Sequence, residues 1–383
     1  MAVIGEAFLP AVPWLTPFLA FLRLSRRTPA LRDAPVARGR LVSVIVPARN
    51  EAANLPILLD SLLASDYSPL EILVVDDRST DATAAIAGAY SQRDSRVRVI
   101  PGEILPDGWY GKPWACLQGY RAAAGELLLF TDADTRHAPG LLGHAVGALQ
   151  QQRAELVSVL PHLACRSFWE RAVMPLMLAT LNFRFHPRRV NCASHPRDMI
   201  ANGQFILVTR EGYDAVGTHA VVRQEVAEDL ALAQAFFRAG RRWYLAYAVE
   251  LLETRMYTGL RDLISGWTKN VYAGGRRSYP DEPIRRALVP GLFLLNSLFW
   301  LLPPVLALLA AVGAAPATCL APAVVATGFC MAFWALFDAG FGVSPVYALT
   351  YPLGQAVIAW IFLRSTIRGE RRIEWRGRTY RSP

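Results

Sequence analysis

Lysine is almost missing from this chain. Of its 40 basic residues all but Lys112 and Lys269 are arginine. Where arginine is the default cation, two retained lysines mark candidate sites that need a compact ammonium in place of a planar fork. Charge of either sign is also scarce: 19% of residues are charged and 53% hydrophobic, with a mean hydropathy of +0.24. Soluble domains carry about a quarter charged residues, so the chain is not a soluble domain throughout. Cysteine is sparse and unpatterned. Cys116, Cys165, Cys192, Cys319 and Cys330 show no short paired spacing, which excludes a metal knuckle and a disulfide framework and points to reduced thiols in a cytosolic compartment.

The shortage of charge is local. Residues 40–286 have ordinary polarity, whereas 287–363 hold one charged side chain, Asp338. That block divides at Pro and Gly positions into segments near 288–311, 317–337 and 344–363, each close to the roughly 20 residues that span a bilayer. Residues 7–22 are apolar but short and broken by Pro10, Pro13 and Pro17, which suits an anchor, tilted or interfacial, and no cleavage site of small residues follows it. The net charge of +9 would fit nucleic acid, but arginines such as Arg26, Arg27, Arg285, Arg286, Arg371 and Arg372 crowd the apolar borders. Basic residues there mark the cytoplasmic side and bind anionic lipid. A membrane is therefore the expected partner and nucleic acid is not. Both ends of the last apolar block are Arg-rich, so either one segment is re-entrant or the charge bias fails.

The expected division is an N-terminal anchor and basic linker at 1–39 and a catalytic domain at 40–250. A membrane-interface or acceptor segment follows at 251–286, then transmembrane helices at 287–363 and a basic tail at 364–383. Within the catalytic domain, LVSVIV (41–46), EILVVDD (71–77), VRVI (97–100) and ELLLFTDAD (126–134) read as strands buried on both faces, separated by helices near 51–64, from 80, and over 112–123. This alternation predicts an α/β, Rossmann-like, mostly parallel sheet with helices on both faces, and ligands at the carboxyl ends of its strands. Residues 166–186 suggest an amphipathic segment lying in the membrane interface, and 251–280 another. QFILV (204–208) is strand-like, and 228–240 is a helix capped by Gly240.

The polar signatures follow the strands. Asp132 and Asp134, in DAD, sit one residue apart, and on an extended chain they project to one side. Such a pair suits Mg2+ or Mn2+ bridging a diphosphate, the metal neutralising the leaving group. Asp76 and Asp77 end another strand, where a carboxylate can accept from the imide N–H of uracil. Lys112 opens a helix from a Gly-flanked loop that can hold phosphate.

VSVIVPARNEAANL, EILVVDDRSTDAT, GWYGKPWA and LLLFTDADT, in that order, resemble the family-2 inverting glycosyltransferases of GT-A fold over about 40–270. NGQFILVTREGYDAVGTH, EDLALA and RMYTGLRDLISGWTKNVYAG resemble its lipid-acceptor branch, which includes carotenoid-acid and ceramide glucosyltransferases. The resemblance implies that Pro47, Glu51 and Asp76 or Asp77 line the nucleoside pocket, that Asp134 holds Mn2+ or Mg2+, and that Asp229 is the general base with Glu228 beside it. An inverting transfer needs such a base opposite the departing diphosphate. Gln204, Trp267 and Lys269 fall on the acceptor or diphosphate side. Where many relatives carry an Arg-Trp pair, this chain has Gly266-Trp267, and Lys269 is the candidate replacement for the missing arginine. The reading is transfer of a sugar from a nucleotide sugar, a UDP-sugar, to a lipid or terpenoid acceptor at the cytoplasmic face of the cell membrane, by a multi-pass protein. The alternative is a polysaccharide synthase or a polyprenyl-phosphate sugar transferase on the same fold.

Overall fold

The structure is a computed structural model that describes residues 9–25, 28–369, 372–375 and 378–381. The remaining residues of the anchor and of the basic tail lie outside this range. In chain order the catalytic domain has strands β1 (Val42–Ala48), β2 (Leu70–Asp76), β3 (Val97–Pro101), β4 (Leu127–Phe130), β5 (Thr135–His137), β6 (Leu156–Leu160), β7 (His162–Leu163), β8 (Ile206–Thr209), β9 (Trp243–Tyr247) and β10 (Leu252–Thr254). Seven of them form one sheet in the order β3-β2-β1-β4-β8-β6-β9. β8 runs antiparallel to both neighbours, and the other pairings are parallel. β5, β10 and β7 make a smaller second sheet.

β1 is buried along its whole length, because both of its faces are covered. Val42, Val44 and Val46 enter one core with α2 (Leu55–Leu63), whose Leu55, Leu58, Leu59 and Leu62 recur at helical spacing. Ile45 points the other way, into a core shared with α4 (Gly111–Ala122). Gly119 allows that close approach, since a Cβ there would collide with the Ile45 side chain. α3 (Thr83–Arg93) and α5 (Leu141–Gln151) complete the first layer, and α7 (Glu228–Arg238) lies in the second. Gly240, at φ 65°, follows α7 as expected of a left-handed cap.

The remaining helices build an apolar lobe. α6 (Phe168–Arg184) opens with a capping box, in which Ser167 Oγ accepts from Glu170 N and Glu170 Oε2 accepts from Ser167 N at 2.5 Å. The sequence suggested that this segment lies along a membrane surface, but Val173, Met174, Leu176 and Met177 are buried in the lobe's core. Gly354 lies so close to α6 that a Cβ there would overlap the Ala172 carbonyl oxygen, a small-residue helix crossing. α8 (Leu260–Arg277) covers the cleft, with Leu263, Trp267 and Thr268 buried. α9 (Pro283–Ala311), the span Ala317–Gly340 that contains α10 (Leu320–Gly340), and the span Pro345–Arg368 that contains α11 (Tyr351–Arg368) are each long and apolar enough to cross a membrane. The N-terminal helix α1 (Val12–Ser25) packs onto them. Trp14 Nε1 donates to Phe299 O at 2.6 Å, and Phe21 sits against Phe333 and Phe337. Two short strands, β11 (Arg372–Trp375) and β12 (Arg378–Arg381), pair antiparallel in the tail.

Candidate active site

β1 lies between β2 and β4, so the loops that follow these strands meet at the edge where open α/β sheets bind ligands. After β1 and β2 the chain turns through left-handed backbone at Asn50 (φ 54°) and Arg78 (φ 56°), uncommon for residues with a side chain. Cross-ties hold it there: Asn50 Oδ1 accepts from Thr80 N at 2.8 Å, and Arg49 Nη1 donates to Asp77 O at 2.6 Å. Pro47 is buried within β1. Glu51 is buried just beyond it, its N–H donating to Thr83 Oγ1 and its Oε2 accepting from Asn54 Nδ2, both at 2.8 Å. The adjacent acids divide. Asp77 is fully buried, while Asp76 stays partly open, its Oδ1 accepting from Ser79 N at 3.3 Å. Gly102 packs directly against this turn, and a Cβ there would overlap the Asp76 carbonyl oxygen. Of the two acids, Asp76 is the one a ligand can reach.

A second cluster lies beyond β4. Lys112 Nζ, at the start of α4, stands 2.7 Å from Asp132 Oδ1 and 2.7 Å from Glu228 Oε1. Burial works to strip the ammonium of its proton, but Asp132, Glu228 and Asp229 hold its pKa well above the ordinary value. Burial likewise works against ionisation of Glu228, and the Lys112 ammonium overrides it to keep that carboxyl below its usual range. Asp229 differs. Burial first, and then the charge of Glu228, push it up to about 6. Its Oδ2 accepts from Gly203 N at 3.0 Å and its Oδ1 from Leu230 N at 2.7 Å, so it serves the start of α7 locally while facing the cleft. Gly203 packs closely on both charged groups: a Cβ there would stand 2.9 Å from Lys112 Nζ and 3.3 Å from Asp229 Oδ2, so one of them would have to shift.

The two acids of DAD depart from the expected geometry. The strand stops at Phe130, so they occupy a turn instead of an extended chain, and each is held separately. Asp132 is taken by Lys112, and the Asp134 carbonyl accepts from Thr254 Oγ1 at 3.2 Å. Behind the turn, Thr131 Oγ1 lies 3.1 Å from both Thr135 Oγ1 and His137 Nε2, and burial keeps His137 neutral by pushing its pKa down to about 3. Gln204 Nε2 donates to Thr254 Oγ1 at 3.1 Å, joining this turn to Gly203. Among the described residues no three His, Cys, Asp or Glu side chains gather as a metal cage. The carboxylates on offer suit a hard divalent cation that takes its other ligands from a diphosphate and water.

Lys112, Asp132, Glu228 and Asp229 line a cavity of about 1130 Å³ that continues between the apolar helices, past Phe293 and Phe362. Lys269 and Trp267 line it too. The positive charge of Lys269 favours ionised Asp132, and Trp267 Nε1 points at Met174 Sδ, 3.4 Å away. The structure therefore brings Lys112, Asp132, Glu228, Asp229, Gln204, Trp267 and Lys269 to one cavity, with Pro47, Glu51, Asp76 and Asp77 at the neighbouring strand ends. Sequence reasoning passed over Gly203 and Thr254. The first was signalled by a glycine just ahead of a strand, in NGQ. The second had no local signal, since its partner lies 120 residues away.

Residues 43–230 match the profile of Glycosyl transferase family 2. The 4,4'-diaponeurosporenoate glycosyltransferase of Staphylococcus aureus is 30% identical over 267 residues, which is 66% of this chain and 66% of the relative. A mannosyltransferase of Pyrobaculum calidifontis, solved in complex with GDP-Man and Mn2+, shares the fold at 22% identity and a TM-score of 0.58, over 96% of each chain. This chain belongs to glycosyl transferase family 2 and has the GT-A fold.

Proposed function

We propose that this protein transfers a sugar, with inversion, from a nucleotide sugar to a lipid or terpenoid acceptor at the cytoplasmic face of the cell membrane, with α9 to α11 crossing the bilayer. The observation that carries this reading is the single cavity that has Asp229 at its polar end and membrane-length helices along its apolar end. The Staphylococcus relative is named for 4,4'-diaponeurosporenoate, in line with an apolar body fitting such a space. The donor is a UDP-sugar whose base lies against Pro47, Glu51 and Asp76, with Asp76 accepting from the ring imide N–H and Asp77 supporting the pocket from behind.

Asp229 is the general base. It takes the proton of the acceptor hydroxyl or carboxyl as that oxygen attacks the anomeric carbon, and the bond to the diphosphate breaks with its electron pair leaving on the diphosphate. Glu228 is tied to Lys112 and stays ionised, which leaves Asp229 as the carboxyl with a pKa fit for the task. Asp134, beside Asp132, would hold Mn2+ or Mg2+, whose charge would offset that of the departing diphosphate; the Pyrobaculum neighbour was solved with Mn2+. Lys112 keeps Asp132 and Glu228 in register, and Lys269 faces the diphosphate across the cavity.

The test is direct. Purified full-length protein is incubated with labelled UDP-sugars and apolar acceptors, and lipid extracts of cells with and without an active copy are compared by mass spectrometry. A single sugar on a lipid supports the reading, whereas a polymer or a polyprenyl-phosphate sugar moves the protein to the alternative.

A further inference from the structure

α9 carries a polar residue where an apolar one would be easier to place. Asn296 is flanked on the helix by Phe293, Leu292 and Val289, at positions three, four and seven residues earlier, and all four line the cavity. Their spacing puts them on one face. Phe293 stacks on Phe362 at 4.5 Å, so the amide sits within an aromatic and aliphatic wall. Asn296 Nδ2 is buried and has no hydrogen-bond partner among the described residues. An asparagine at bilayer depth ordinarily bonds across to another helix. This one does not, so helix association does not account for it. An amide donor left unsatisfied in such surroundings is costly, and the cavity that Asn296 lines is a direction from which a partner can come.

Depth says what kind of partner. Asn296 lies about 15 Å further along the helix than Arg286, at a rise of about 1.5 Å per residue, which is about half of a bilayer's hydrocarbon thickness. Leu292, 46% exposed, forms the cavity's outer lip on the same helix. A group reaching Asn296 at that depth is therefore carried by a long apolar molecule.

We infer that Asn296 is a specificity-determining residue for the acceptor, donating to a second oxygen (keto, ether or hydroxyl) carried by the acceptor's apolar body. This rests on the reading of the cavity as the acceptor site. The favoured substrates are long apolar alcohols or acids that were oxygenated at a second position before glycosylation, so an oxidation or hydration reaction on the hydrocarbon must supply them.

The experiment uses full-length protein in nanodiscs and a set of long-chain primary alcohols, one unmodified and the others bearing a keto group at successive positions. The readout is kcat/KM of each keto alcohol relative to the plain one. Wild type should favour one keto position by about tenfold, the worth of one buried hydrogen bond, and Asn296→Leu should lose that preference. Asn296→Gln should retain a preference displaced along the chain, and Ser297→Ala, on a buried neighbour outside the cavity, should keep the wild-type pattern. A flat profile in wild type, or a preference that survives in Asn296→Leu, overturns the inference and leaves the acceptor reading in place. If no apolar alcohol accepts sugar while the nucleotide sugar still binds, the acceptor reading itself falls and the inference with it.

Discussion

At the carboxyl ends of β1 and β2 the loops are tied by partners drawn from two short stretches: Asn50 to Ser79 and Thr80, Arg49 to Asp77, and Glu51 to Thr83. Around Asp229 the partners come from remote segments, with Gly203 on its carboxylate, Lys112 bridging Glu228 to Asp132, and Lys269 reaching in from α8. The first half is built by local backbone turns, and a ligand meets a frame already bonded to itself. The second half is built by charge balance among buried groups, so each side chain sets the protonation of the next. Changes at the donor end should act through shape and affinity. Changes at the base end should act through rate and pH dependence.

The sharpest test of that contrast is Asp229→Asn. It removes a base without removing a donor contact, so transfer should fall by about 10²–10⁴-fold while the dissociation constant for the nucleotide sugar stays within twofold. Retention of more than about half the activity would place the base elsewhere. The pH profile extends the test. Asp229 acts when ionised and its pKa is about 6, so kcat/KM should fall as pH drops below that value and level off above it. Glu228→Gln removes a negative neighbour that raises the Asp229 pKa and should move this limb to lower pH. Lys112→Met removes a cation that lowers it and should move the limb to higher pH.

Chelation comes next in size, and it acts at the donor end. With EDTA, donor binding and turnover should both be lost and return with Mn2+ or Mg2+, and Asp134→Ala should raise the concentration of metal needed. The measurement is a metal titration of donor affinity by calorimetry. Full activity in chelator would rule out the metal.

Gly203→Ala should do less. The added Cβ must displace the Lys112 ammonium, a flexible end that can shift, so a loss of roughly threefold to thirtyfold is expected, on the scale of one weakened charged hydrogen bond. Because Lys112 moves, the acid limb should shift upward with it. A rate loss with an unmoved limb would show that Gly203 matters for packing alone.

How far the sequence anticipated the molecule divides along the same line. Strands β1, β2 and β4 were legible because they are buried nearly throughout and so written as apolar runs, and the membrane-length helices because they lack charge; β3, expected to be buried on both faces, is instead the sheet's edge strand with Arg98 exposed. The residues proposed for the donor stood out in the sequence because Asp76 ends β2, and Glu51 and Asp134 lie in the turns that follow β1 and β4. The Lys112–Asp132–Glu228 bridge was not, since no spacing in the chain records which carboxylate a lysine will meet. α6 was misjudged for a related reason. Arg171 and Arg184 at its ends suggested a surface, but its middle is buried by partners far along the chain, among them Gly354, which lets α11 approach Ala172. Asn296 had no signal of its own, since an amide within an apolar run does not say whether it faces lipid, another helix or a cavity.

Lys269 should give the smallest effect, and it tests whether the two halves meet. It lines the cavity, and its charge bears on Asp132, which places its ammonium on the cavity side of α8. If it clamps the diphosphate, Lys269→Ala should weaken donor binding by about tenfold and lower turnover with it. Lys269→Arg should recover only part of this, because a planar fork does not replace a compact point charge in a site shaped for one. The rival role is at the bilayer surface, with the stem along lipid and the ammonium on a head group. In that case Lys269→Arg would be silent, and Lys269→Ala would alter membrane association only. Donor affinity measured in neutral detergent, free of anionic lipid, separates the two. A weakened Ala variant there assigns the lysine to the donor, whereas an unchanged one assigns it to the membrane and leaves the clamp to Lys112.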